Sequence, residues 1–338
     1  MRVAVHVGQL LQPVPGGIGR YVRALLTALV GTGVDPVAFA AGPRPPGVDP
    51  YVDLGRPRGA IRYEAWHRLR RPAVHVPAEV VHATSLAVPP PGGRPLVVTV
   101  HDLVFLRRPQ HLTPRGVSFH RRGLDVARRE ASAVVVPTAF GRQELAEEGF
   151  DPERVHVAHH GVEAPPAPDP DVTAAQLRRL KVGSPFVLFV GTLEPRKGVS
   201  DLLHAHAALR ADCPDLALVL AGPVGWGAPL DLSAPGVEPL GSVDDAQLDA
   251  LYRAAVALAL PSRYEGFGLP VLEAMARDCP VVTTDAACLP EVAGGAAELV
   301  PVGDVGALAA ALRRILSDAD HRGRLVAAGR ARAAEFSW

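Results

Sequence analysis

The chain has 338 residues, 48% of them apolar and 21% charged, with 35 Lys and Arg balanced by 35 Asp and Glu. That length and apolar share exclude a disordered chain and admit two domains with separate cores. No apolar run approaches the roughly 18 residues of a membrane span, and Cys213, Cys279 and Cys288, odd in number and unpaired in spacing, argue against a zinc site and for a reducing, cytoplasmic setting.

Read in chain order, short β-rich apolar runs alternate with helical patterns, as in a parallel sheet covered by helices. Val3–Val7 reads as a buried strand without the longer apolar region and cleavage site of a signal peptide. Val80–His82, Leu96–Val100, Val134–Pro137 and Val155–His159 follow as strands. Helices are expected over 18–31, 114–130 and 139–149, the last with Thr138 as N-cap. A proline-rich stretch from Val162 to Val172, holding Pro165, Pro166, Pro168 and Pro170, reads as a stiff linker. Beyond it, Phe186–Val190, Leu216–Ala221, Val256–Pro261, Val281–Thr284 and Glu298–Val300 read as strands. Helices are expected near 199–211, 245–254, 270–277, 304–317 and 321–334. Two doubly wound α/β domains follow, 1–165 and 166–338, facing one another across a cleft. The halves differ in charge: 20 Lys+Arg against 14 Asp+Glu in 1–165, and 15 against 21 in 166–338. Either the two surfaces simply differ, or the first half, with Arg107, Arg108, Arg115, Arg121, Arg122, Arg128 and Arg129 in one segment, faces an anionic partner such as a membrane surface. No nucleic-acid partner is expected.

Four sequence features point to chemistry. The loop Pro15-Gly16-Gly17-Ile18-Gly19 lies between a strand and a helix, where glycines let backbone approach an anion; it lacks the third glycine of a dinucleotide fingerprint. His101-Asp102 ends a strand, either as a structural pair or as a hydrogen-bonding group near a reacting carbon. Gly191-Thr192-Leu193-Glu194-Pro195-Arg196-Lys197-Gly198 places two adjacent cations at the carboxyl end of a strand, where open α/β sheets bind ligands. Arg196 can fork onto phosphate oxygens and Lys197 adds a compact charge. Lastly, Arg263-Tyr264-Glu265-Gly266-Phe267-Gly268-Leu269-Pro270-Val271-Leu272-Glu273 sets two glutamates around a run of backbone N–H groups at a helix start, suited to hydroxyls beside a phosphate. Gly222 and Leu240, near the ends of other strands, would border a nucleobase. Asp169-Pro170-Asp171 and Asp318-Ala319-Asp320 imitate metal-binding pairs but are set aside, since one lies in the linker and the other follows a helix.

Together these motifs resemble glycosyltransferase family 4, the retaining family with the GT-B fold, over almost the whole chain from Gly16 to Leu289-Pro290-Glu291-Val292. The resemblance implies that Arg196 and Lys197 hold the diphosphate of a nucleotide-sugar donor and Glu273 its ribose hydroxyls. It places Glu265 on the donor sugar, the amides of Phe267, Gly268 and Leu269 on sugar or phosphate oxygens, Gly17 near the phosphates and His101 near the transferred sugar. The catalytic group would be His101, Glu265, Arg196 and Lys197, with no cofactor and no metal. The Tyr264–Pro270 wording, with Gly225-Trp226-Gly227 upstream, looks most like bacterial mannosyltransferases and favours GDP-mannose. The acceptor, whether glycan, lipid-linked or small molecule, is left open, as is a peripheral contact with the inner membrane face. A GT-B sugar-nucleotide epimerase and an idle nucleotide-sugar-binding protein are the rival readings. Family members usually continue past a Phe-Ser-Trp like Phe336–Trp338 into a helix that crosses back to the first domain; without it, the linker alone would tether the domains.

Overall fold

The computed structural model describes residues 1–163, 165–183 and 185–338; Ala164, inside the expected linker, lies outside them. The chain divides into two compact units, Met1–His160 with Trp338, and Gly161–Ser337.

In the first unit the strands are β1 (Arg2–His6), β2 (Asp35–Ala40), β3 (Tyr51–Asp53), β4 (Val80–Ala83), β5 (Leu96–Thr99), β6 (Ala133–Val136) and β7 (Val155–Val157). Between them run α1 (Gly16–Leu29), α2 (Gly59–Leu69), α3 (Val104–Arg107), α4 (Pro114–Glu130) and α5 (Ala139–Glu147). The sheet is parallel in the order 3-2-1-4-5-6-7. β1 shows why both faces are covered. Val3, Val5 and Val7 pack into one core with Tyr21 and Val22 of α1, while Ala4 points into another with Trp66 of α2 and Leu124 of α4. Alternating side chains of one strand thus feed two layers of helices. Thr138 caps α5 by accepting from the Gly141 amide. Trp338 belongs to this unit by its rings, 6.0 Å from His160 and 6.3 Å from Tyr21.

The second unit holds α6 (Pro170–Leu180), β8 (Phe186–Val190), α7 (Val199–Leu209), β9 (Ala217–Ala221), β10 (Val237–Gly241), α8 (Asp245–Ala254), β11 (Ala257–Leu260), α9 (Leu269–Met275), β12 (Val281–Thr284), α10 (Leu289–Ala293), β13 (Glu298–Val300), α11 (Val305–Ser317) and α12 (Ala319–Ala334). Its parallel sheet runs 10-9-8-11-12-13. Phe186, Leu188, Leu218, Leu220, Leu258 and Leu260 are fully buried at its centre. The linker reading extends too far: α6 begins at Pro170, which fits the first helical turn, with Asp169 accepting from the Asp171 amide. Asp318 likewise caps α12. Both Asp-x-Asp pairs are therefore helix starts. β2, β3, β10, α2, α3 and α10 carry no expected counterpart in the sequence reading.

In each sheet, the strand order reverses between the first strand and the fourth, β1/β4 and β8/β11. Ligands of open α/β sheets sit outside the carboxyl ends of strands at such a point. At the second switch point, Gly198 has φ +67° and starts α7, and a Cβ there would be driven into the carbonyl oxygen of Pro261 after β11. Gly198→Ala should therefore lower the stability of the second unit by more than ~2 kcal/mol, combining left-handed strain with a backbone clash; urea unfolding measures it.

Candidate active site

The carboxyl ends of β8 and β11 bring together charges that lie almost seventy residues apart in sequence. After β8 the chain leaves through Gly191 and Thr192 and makes a single 3-10 turn, Pro195–Lys197. After β11 it passes Ser262 and Arg263 to Glu265. The Lys197 ammonium donates to Oε1 of Glu265 at 2.6 Å, and Arg196 donates to Oε2 of the same carboxylate at 3.0 Å. Arg196 also reaches the Tyr264 carbonyl at 2.8 Å and grips Glu194 through Nε and a terminal nitrogen at 3.0 and 2.7 Å. Ser262 donates to Oε1 of Glu265 at 2.6 Å, and the Arg263 amide donates to the Arg196 carbonyl at 2.7 Å. The two loops are thereby stitched into one platform.

Glu265 is only 6% exposed. Burial alone would push its carboxyl towards the neutral form, but the charges of Lys197 and Arg196 and the hydrogen bonds from Lys197 and Ser262 win, holding its pKa at about 2. The carboxylate is thus ionised throughout the physiological range and keeps both cations in place.

The second glutamate is held differently. Glu273 sits in α9, also 6% exposed, and the buried Tyr252 of α8 donates its hydroxyl to Oε2 at 2.8 Å. Arg277 donates to the Glu273 carbonyl, lies over the Tyr252 ring and is anchored by Asp249 at 2.7 Å. Gly268, at φ +91°, turns the chain into α9, and Leu269 is that helix's first residue. The Phe267 side chain points into the core, its ring 6.0 Å from Phe336. Gly222 has φ +148°, and a Cβ on it would strike the Gly191 carbonyl, so the loops after β8 and β9 touch backbone to backbone. Leu240 lies in the edge strand β10, half-buried.

Of the expected site residues, Arg196, Lys197 and Glu265 are in direct contact, while Glu273 is held apart from them by Tyr252. Gly17 and His101 belong to the first unit. Gly17 is exposed in the first turn of α1. His101 donates from Nε2 to the Thr84 carbonyl at 2.8 Å, which leaves Nδ1 to accept from Nε2 of His160 at 3.4 Å. Asp102 turns away to accept from the Val104 amide, so it does not hold the ring. Burial lowers the His101 pKa against the opposing pull of Thr84 and Asp102, so the neutral imidazole is favoured. Sequence reasoning missed Glu194, Ser262 and Tyr252. The first two flank the motifs, but Tyr252 has no local signal at all. Of the crowded arginines, Arg107 is shared among Glu144, Glu147 and Glu148, and Arg122 is paired with Glu64. Among the described residues, no helix is long and apolar enough to cross a membrane, and no group of three or more His, Cys, Asp or Glu could hold a metal ion.

A carboxyl whose folded pKa lies near 2, against 4.5 as its ordinary value, stabilises the fold fully above the unfolded pKa and loses that contribution as pH falls towards the folded one. Glu265→Gln should cost of order 3 kcal/mol near neutral pH, and the gap from the natural chain should close between about pH 5 and about pH 2. Urea unfolding of both proteins across that window checks it; a gap independent of pH contradicts it.

Comparison with known proteins places this geometry. The family described as "Glycosyltransferase Family 4" matches residues 15–164, and "Glycosyl transferases group 1" matches 175–332. The MMP alpha-(1->4)-mannosyltransferase of Mycolicibacterium hassiacum is 31% identical over 96% of this chain and 92% of its own length. The O-antigen chain mannosyltransferase B of Escherichia coli is 32% identical over 72% of this chain and 66% of its own length. Among solved structures, Anabaena HepE in complex with UDP-glucose superposes with a TM-score of 0.76 over 100% of this chain and 96% of that one, at 19% identity. The two Rossmann-like units are those of the GT-B fold, and the chain belongs to glycosyltransferase family 4.

Proposed function

We propose that the chain transfers a hexose, mannose from GDP-mannose, to an acceptor hydroxyl with retention at the anomeric carbon and without a metal. The observation that carries this reading is the buried cluster of Arg196 and Lys197 on Glu265 at the second switch point. Two guanidinium or ammonium groups side by side suit a diphosphate. In transfer, the bond from the anomeric carbon to the diphosphate oxygen breaks, and the acceptor oxygen bonds to that carbon on the same face. The acceptor proton passes to the leaving phosphate. Lys197 and Arg196 stabilise the charge that grows there, in the role a metal would otherwise fill. Glu265 fixes both cations before the donor arrives, so little reorganisation accompanies the step. Glu273, immobilised by Tyr252, binds the ribose hydroxyls. Mannose is chosen because both relatives named above are mannosyltransferases by name; the UDP-glucose of the Anabaena neighbour makes UDP-sugars the donor to compete against it.

Three variants separate these roles by calorimetry. Glu273→Gln should weaken free GDP and GDP-mannose together, since ribose is remote from the bond that breaks. Glu265→Gln should leave GDP binding intact while transfer falls, because the cations remain and only their partner's charge is lost. Lys197→Ala should weaken GDP by about tenfold or more and leave guanosine unaffected. GDP binding that ignores Lys197→Ala contradicts the reading, as does transfer that stops in EDTA.

His101 is tested separately. His101→Ala should lower turnover about a hundredfold with little change in donor affinity, as for a contact made only in the transition state. Near-normal turnover would make it a purely structural histidine holding the Thr84 carbonyl.

A further inference from the structure

The first sheet has a switch point of its own, and a cavity of about 520 Å³ opens there, within the ~300–1,000 Å³ range of small-molecule sites. His6 at the end of β1 and Ser85 after β4 line it, as do Ile18, Ala60 and Gly116 from the first turns of α1, α2 and α4. Three helices of 14, 11 and 17 residues therefore start at one hollow, and no first turn among them carries an acidic residue. Neither α1 nor α2 has a side-chain cap, whereas Thr113 caps α4. Helix starts present N–H groups and partial positive charge, the arrangement that favours an anion. Arg115 adds a full charge at the exposed rim. Glu64, the single carboxylate on the described wall, is neutralised by Arg68 at 2.9 Å and Arg122 at 2.6 Å.

His6 is the second, independent sign of a ligand. It is 1% exposed, lines the cavity, and neither of its ring nitrogens has a hydrogen-bond partner. Buried polar groups without partners are rare and costly. Burial holds its pKa down to about 3, so the neutral ring offers one donor and one acceptor, as a hydroxyl requires. Tyr63 and Phe119, rings 6.1 Å apart, supply apolar wall. The cavity is also tied to the expected catalytic histidine: the Thr84 hydroxyl donates to the His6 carbonyl at 2.6 Å, and the Thr84 carbonyl accepts from His101.

We propose that this cavity is the acceptor site and that its acceptor is a small soluble sugar bearing a phosphate group. The phosphate is held by Arg115 and the helix starts, and ring hydroxyls are held by His6. This deepens the transferase reading and rests on it.

The test is calorimetry on the full chain with glucose 6-phosphate, glucose 1-phosphate, glucose and inorganic phosphate, with GDP titrated into the same preparations. At least one hexose phosphate should bind about tenfold or more tightly than either glucose or inorganic phosphate. Arg115→Glu, a change at an exposed position, should weaken that hexose phosphate by about tenfold or more while GDP binds as before. The proposal is overturned if glucose binds as tightly as its phosphates, or if inorganic phosphate alone does. It is overturned equally if Arg115→Glu has no effect, or if neither hexose phosphate binds. Retention on phosphatidylcholine vesicles containing phosphatidylglycerol, with no response to soluble hexose phosphates, would also overturn it in favour of a lipid acceptor. Hexose phosphate binding without GDP binding would instead sink the donor assignment and leave this cavity standing.

Discussion

A buried carboxylate between two cations is the interaction on which the second unit's site depends. Glu265 could not stay ionised at 6% exposure without Lys197 and Arg196. Two adjacent cations at a loop could not stay fixed without it. Each charge is tolerable only because the others are there, which is why removing one partner of a buried pair costs far more than the pair contributes. The interaction also joins two loops that leave neighbouring strands at the reversal of strand order. Gly198 is part of the same solution, since only a residue without Cβ lets the cation-bearing turn pass the Pro261 carbonyl.

The two units answer the same topological problem with different chemistry. In both, a parallel sheet leaves open the ends of its first and fourth strands. The second fills that space with full charges in a self-paired cluster, the first with helix starts, one rim arginine and an unpartnered buried imidazole. A self-paired cluster suits a ligand carrying several charges and shared by many substrates. A field made mostly of helix starts and neutral donors suits one that carries a single anionic group and many hydroxyls.

How much of this was legible follows from what each residue's neighbours in sequence could reveal. The central strands read correctly because they are continuous apolar runs such as Phe186–Val190. β2 and β10 were hidden by Pro36 and Pro239, residues that weaken a strand pattern. α2 was hidden by polarity: Arg62 is buried there, its guanidinium bonded to the carbonyls of Leu54, Gly55 and Pro57, so the helix has no clean apolar face. The charged residues of the site stood out because the motifs are local. Their pairing did not, because Lys197 and Glu265 meet only through the order in which β8 and β11 lie.

Tyr252 shows where reading a sequence stops. It lies in the middle of α8, buried among apolar neighbours, and nothing around it distinguishes a core tyrosine from one with a task. The fold turns its hydroxyl onto Oε2 of Glu273 and lays Arg277 across its ring, with Asp249 holding Arg277 and Arg253 in turn. A carboxylate on a seven-residue helix acquires its orientation from this neighbouring helix, through a buried hydroxyl that has few alternative partners. The glutamate that a sequence motif makes conspicuous is therefore positioned by a residue the motif does not contain.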